Sequence, residues 1–192
     1  YASATFTVNP APAAITGTLY TCVGSTTTLA NSVTGGTWSS SATAVATIGS
    51  ANGTVTGIAD GTSTITYTLS AGCNTTTTYT VNANPQAITG TTNACEGSSS
   101  TLANTTSGGT WLSSNTAVAT VGSSTGSVTG VTYGTSAITY QLSTTGCYST
   151  TTFTVNQTPS VIGGTLSTCA GASTTLTNTV TGGTWTSTTT SV

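Results

Sequence analysis

Small polar and larger apolar residues alternate along most of this chain. Across 62–70, Ile65, Tyr67 and Leu69 are spaced by Thr64, Thr66 and Thr68; across 75–82, Tyr79 and Val81 are spaced by Thr78 and Thr80. A period of two is that of an antiparallel strand with one face buried and the other in water. No stretch has a convincing helical period. Turn signals punctuate the runs. Asn52-Gly53, between VATI and TVTG, predicts a tight hairpin, because that pair accepts positive φ at both central positions.

The pattern recurs at long range. Cys22, Cys95 and Cys169 are spaced by 73 and 74 residues, and so are Trp38, Trp111 and Trp185. GGTWSSSATAVATIGSANGTVTGIADGTSTITYTLSAGC in the first copy becomes GGTWLSSNTAVATVGSSTGSVTGVTYGTSAITYQLSTTGC in the second. A period of this length means tandem small domains and not a short-coil solenoid. The opening YASATFTVNP matches YSTTTFTVNQ at 148–157, and TWTSTTTSV ends partway through a third copy. We therefore expect 1–9 to be the last strand of a preceding repeat, 10–82 and 83–156 to be complete domains, and 157–192 to be a truncated one. The chain reads as a window on a longer array.

Short strands about ten residues apart give about seven per repeat. That count, in a repeat of about 74 residues, predicts an all-β chain of tandem immunoglobulin-like β-sandwich domains. In the first repeat strand A falls near 14–18, B near 26–30, C near 37–40, D near 45–48, E near 54–58, F near 64–69 and G near 75–81. The one-residue length difference between copies lies between Tyr67 and Cys73 in one and Tyr140 and Cys147 in the other. SAGC and STTGC therefore read as F-to-G turns, where insertions are tolerated.

Composition narrows the function. There is no Lys, Arg or His, and the only acids are Asp60 and Glu96. A chain without cationic side chains cannot neutralise phosphates, which excludes nucleic-acid binding and attraction to anionic lipid. No apolar run is long enough to span a membrane. Recurring Val, Ile, Leu, Tyr and Trp, with only four prolines, argue for folded strands over disorder or a mucin-like stalk.

The strings VGSTTTL, GGTWSSS, AVATIGS, GTVTGI, DGTSTITYT and TVNP, in this order and spacing, resemble the bacterial Ig-like group 2 repeats of intimin- and invasin-type surface proteins. The resemblance is strongest to the Thr-rich repeats of very large secreted adhesins, including those of gliding bacteria, and it covers almost the whole chain. It implies an extracellular or bacterial cell-surface location and a role in adhesion. Related extender domains stiffen their junctions with calcium, but neither acid recurs here: Asp60 aligns with Tyr133, and Glu96 with Val23 and Ala170. A cage of several carboxylates cannot be built from them, so no metal or other cofactor is expected.

Five cysteines, two per complete repeat, point to disulfides and an oxidising compartment. Cys22 lies in the expected A-to-B turn and Cys73 in the F-to-G turn, at opposite poles about 20 Å apart. A disulfide needs α-carbons within about 7 Å. The preferred pairing is therefore between domains, Cys22 with Cys147, leaving Cys73, Cys95 and Cys169 to partners outside this window. Pairing within each domain, Cys22 with Cys73 and Cys95 with Cys147, and free thiols are the alternatives. Loop entropy differs by less than about 1 kcal/mol between the two pairings and does not decide.

Catalysis is poorly served. Ser and Thr have no His or Lys to activate them, and Asp60 and Glu96 fall in different domains, about 40 Å apart. Trp38, Trp111, Trp185, Tyr67 and Tyr140 are expected in the sandwich cores, the alternative for the tryptophans being a row of sugar-stacking platforms. The threonine ladders suit exposed strand faces, although a flat Thr-x-Thr array would also fit ice or glycan. Open strand edges without Lys leave lateral association into fibres open. The expected function is a non-enzymatic stalk or filament of a large adhesin. Its partners would be the neighbouring repeats, with any glycan or cell surface contacted by other domains. A direct glycan- or ice-binding module and a spacer in a secreted enzyme are the alternatives.

Overall fold

The computed structural model describes residues 1–190, and all regular structure among them is strand. The chain divides into two compact units, residues 1–86 with 141–149, and residues 87–140 with 150–192.

The first unit contains β1 (Tyr20–Cys22), β2 (Thr26–Thr28), β3 (Thr37–Ser40), β4 (Ala46–Ile48), β5 (Thr54–Gly57), β6 (Gly61–Thr68) and β7 (Asn74–Asn82). One sheet has the order β1-β7-β6-β3 and the other β2-β5-β4. Alternation selects the faces: Ser63, Ile65 and Tyr67 of β6 and Tyr79 and Val81 of β7 point inward. They meet Leu29, Trp38, Ala46 and Val55 to form the core. Burying these side chains supplies the main stabilising term, since each large apolar group is worth about 1.5–3 kcal/mol when removed from water. The chain is an all-β Ig-like sandwich array, as its strand spacing indicates.

Two local expectations need correcting. Strand A near 14–18 is reduced to a single bridge, Thr16 with Ala30. The chain then crosses to the other sheet as β1, which runs parallel to β7. Gly17 makes the crossing, with φ of 116° and the position of a Cβ only 2.8 Å from the Thr28 carbonyl oxygen. The β4–β5 connection is likewise not a two-residue turn. The Gly53 N–H donates to the Gly49 carbonyl at 3.0 Å, and only Gly53 takes positive φ, at 68°. Asn52 serves through its side chain, whose Oδ1 accepts from the Thr54 N–H at 3.1 Å.

The second unit contains β8 (Thr89–Gly90), β9 (Asn93–Cys95), β10 (Ser99–Ala103), β11 (Gly109–Ser113), β12 (Ala119–Val121), β13 (Ser127–Gly130) and most of β14 (Gly134–Leu142) and β15 (Tyr148–Asn156), whose residues 141–142 and 148–149 fall in the first unit. Its sheets are β11-β14-β15-β9 and β12-β13-β10-β8. Leu102, Trp111, Ala119, Val128, Ile138, Tyr140, Phe153 and Val155 are buried at the equivalent positions. One swap shows how the packing is conserved while a polar contact moves. Tyr79 places its hydroxyl against the Thr27 hydroxyl, whereas Phe153 has none, and Ser100, the counterpart of Thr27, donates to the Thr91 carbonyl at 2.8 Å.

Outside these strands, residues 1–9, expected as a strand, pair with no strand among the described residues, and Phe6 and Val8 are exposed. A strand needs a hydrogen-bonding neighbour, and none is offered to them. In 157–192, of which the last two residues lie outside the described ones, β16 (Gly163–Gly164) pairs with β17 (Leu176–Thr177).

Candidate functional site

The feature that stands out from the two cores is a disulfide. β1 ends at Cys22, whose register partner is Asn82, the last residue of β7. Cys73 immediately precedes Asn74, the first residue of β7. Nine residues of strand at about 3.4 Å each separate the two cysteines by roughly 31 Å, so they cannot bond. Cys22 is instead joined to Cys147, with α-carbons 5.6 Å apart and a sequence separation of 125. Cys22 differs from its expected place only in closing a strand and not sitting in a turn.

The turn that presents Cys147 belongs to the first unit. The Leu142 N–H donates to the Cys147 carbonyl at 2.8 Å, and the Gly146 N–H to the Leu142 carbonyl at 2.9 Å. In the shorter Cys73 turn the Gly72 N–H reaches the Leu69 carbonyl at 2.8 Å, so the extra residue is absorbed inside the turn. Cys147 is fully buried, with its sulfur 4.0 Å from the Asn82 carbonyl oxygen. Cys73, Cys95 and Cys169 are free thiols, Cys73 half-buried and the other two exposed.

Two acids remain to be placed. Asp60 is exposed in the first unit. Glu96 follows β9 in the second, where Oε1 accepts from the Tyr133 N–H at 2.8 Å and Oε2 from the N–H and hydroxyl of Thr158, each at 3.2 Å. The Tyr133 N–H foremost, then the Thr158 N–H, hold the carboxyl below its ordinary value, against a weaker opposing effect of burial and with help from the Thr158 hydroxyl. A carboxylate with three donors already satisfied is a weak base. Among the described residues no three His, Cys, Asp or Glu side chains gather as a metal site would require.

The aromatic residues divide. Trp38 and Tyr67 are buried, ring centroids 4.6 Å apart, and Trp111 and Tyr140 are likewise buried at 4.8 Å. Tyr67 also pins the loop before β3: its hydroxyl donates to the Val33 carbonyl and accepts from the Gly36 N–H, both at 2.8 Å. Trp185 is the exception, 56% exposed. Among the described residues β16 and β17 pair only with each other and no second layer covers the indole, so its expected core position is not filled.

A buried serine network escaped the sequence reading. Ser63 is 3% exposed; its hydroxyl lies 2.8 Å from that of Ser40 and accepts from the Ala42 N–H at 3.1 Å. Ser40 in turn donates to the Ala46 carbonyl at 2.6 Å. Ser136, Ser113, Asn115 and Ala119 repeat the arrangement. The signal was there: Ser63 and Ser136 both fall on the apolar face by period two.

No protein-family model and no curated protein sequence matches this chain. Among solved structures it is similar to the C-terminal 282-residue fragment of intimin, in complex with the intimin-binding domain of the translocated intimin receptor. The identity is 18%, over 78% of this chain and 67% of that one, with a TM-score of 0.49. It is also similar to domains 4 and 5 of the S-layer protein SbsC, at 19% identity over 77% of this chain and 99% of that one, with a TM-score of 0.37. Both likenesses fall below a TM-score of 0.5, and what this chain does must be argued from its own residues.

Proposed function

We propose that this chain is a non-enzymatic structural segment of a large bacterial cell-surface or secreted adhesin, a stalk or filament in which each repeat adds reach. The observation that carries the reading is the Cys22–Cys147 bond, which closes 125 residues of sequence and binds the first repeat to the turn of the second. A disulfide of this kind needs an oxidising compartment, which fits the outside of the cell. In the chain-entropy description a loop of this size is worth about 5 kcal/mol, a large staple for small sandwiches. Among the described residues no acid–base pair competes with this role, since Asp60 and Glu96 lie in different units. The test is to delete whole repeats from the parent protein and measure attachment. Reach and attachment should fall with each repeat removed, while substitutions on exposed strand faces leave attachment unchanged; the opposite pattern would sink the proposal.

A second reading rests on the outer face of the β7–β6–β3 layer. Thr62, Thr64 and Thr66 stand directly opposite Thr80, Thr78 and Thr76, a two-dimensional array of hydroxyls and methyls that ice or glycan would fit. The second unit breaks that array with Leu112, which is 47% exposed, and with Ala137 in place of Thr64. A lattice needs regularity, so the stalk is preferred. Thermal hysteresis or a positive glycan array that is lost on Thr64→Lys would reverse the preference.

A further inference from the structure

We propose that the Cys73 turn is a second cross-linking site, shaped to receive the thiol of a cysteine that ends a short β1-type strand in another repeat of this kind. This rests on the stalk reading and names the partner that such an array would use. Cys73 is more than an isolated thiol because its counterpart, Cys147, is bonded in the same surroundings. The Cys147 sulfur lies 4.0 Å from the carbonyl oxygen of Asn82. The Cys73 sulfur lies 3.9 Å from the carbonyl oxygen of Asn9, and Asn9 is the residue that matches Asn82 one repeat earlier, in TFTVN against TYTVN.

The geometry of the bonded site then supplies the rest. Cys22 faces Asn82 because β1 runs parallel to β7 with Cys22 and Asn82 in register. A parallel strand placed the same way along residues 7–9 would end opposite Asn9, beside Cys73. The two turns are held alike, the Leu69 N–H donating to the Cys73 carbonyl at 2.9 Å where the Leu142 N–H donates to the Cys147 carbonyl at 2.8 Å. Residues 1–9 also carry the right side chains: Phe6 and Val8, exposed here, match the buried Tyr79 and Val81. Cys73 is half-buried where Cys147 is fully buried, the difference that an arriving strand would remove. Cys95 shows the complementary half, a free and exposed thiol ending β9 in register with Asn156.

The reaction joins the Cys73 sulfur to the incoming cysteine sulfur. Both S–H bonds break, and two protons and two electrons leave. They pass to the disulfide of an extracytoplasmic thiol-oxidising protein, whose own S–S bond becomes two thiols. The partner segment is recognisable by its sequence, since YTCVG, NACEG and STCAG place Cys two residues before Gly.

The experiment takes the native protein, blocks free thiols with iodoacetamide under denaturing, non-reducing conditions, digests it with chymotrypsin and identifies linked peptides by mass spectrometry. Cys73 should be recovered unalkylated, in disulfide linkage to a peptide with the Cys-x-Gly strand end. Quantitative alkylation of Cys73, or its linkage to Cys147, to a second Cys73 or to a small thiol, would overturn the inference. If Cys22–Cys147 is intact in those cases, the stalk reading stands without it. If Cys22–Cys147 is missing as well, the stalk reading fails too.

Discussion

In the first unit the segment leaving β7 is caught by Asn84, whose Nδ2 donates to the Val23 carbonyl at 3.0 Å. In the second, the segment leaving β15 is caught at the equivalent residue, Thr158, by the Glu96 carboxylate, and Glu96 stands where the first unit has Val23. The donor stays on the departing segment in both and the tied place is the same, while the acceptor changes from the backbone carbonyl of Val23 to the side-chain carboxylate of Glu96. Meanwhile the cores match in residue type, Leu29 with Leu102, Trp38 with Trp111, Val55 with Val128, except where Phe153 stands for Tyr79. The lesson is that packing is held nearly to identity and the polar rim only to position. It also explains the lone acid of the second unit as a clasp and not as a chemical group.

That comparison can be broken or sharpened by experiment. The largest effects should be equal in the two units: Trp38→Ala and Trp111→Ala should each cost about 3–5 kcal/mol, read as hydrogen exchange confined to the affected unit. Unequal losses would show that the matched cores are not equivalent. Next, Cys22→Ser should destabilise the first unit by about 2–5 kcal/mol and leave exchange in β10 and β13 of the second unchanged. Ser63→Ala and Ser136→Ala should follow at about 1–3 kcal/mol each, because each strands a buried N–H or hydroxyl; chemical denaturation of the single variants would measure this.

The smallest effect separates the units again, through pH. The Glu96 carboxyl is held below its ordinary value in the folded chain. It therefore adds stability to the second unit above its unfolded value, and that contribution is lost as pH falls through the folded one. Exchange of the Tyr133 and Thr158 amides should rise over that acid range, and Glu96→Gln should flatten the response. The first unit, with Val23 at this place, should show no matching transition.

Much of this fold was legible because burial enforces the period of two. Strand C was expected at 37–40 and β3 spans Thr37–Ser40, since Trp38 fixes which face turns inward. Strand A was misread because Gly17 lets the chain change sheets, and glycine carries no side chain to announce the direction. The hairpin was misread because Asn-Gly signals a turn without saying which of the two residues takes positive φ. Thr125 in place of Asn52 was the available clue: its hydroxyl accepts from the Ser127 N–H at 3.3 Å, so the position asks for an acceptor and not for a left-handed backbone. The Glu96 clasp could not be read at all, as its donors lie 37 and 62 residues away.

The Cys22–Cys147 bond also fixes how much thread the molecule can pay out. Pulled from its two ends, the chain passes tension across the two sulfurs and bypasses the intervening chain, a sequence separation of 125. At about 3.4 Å per extended residue, roughly 430 Å of contour stays withheld, however far the sandwiches unravel. Only a reductant releases that length, which makes the extensibility of the chain a redox property.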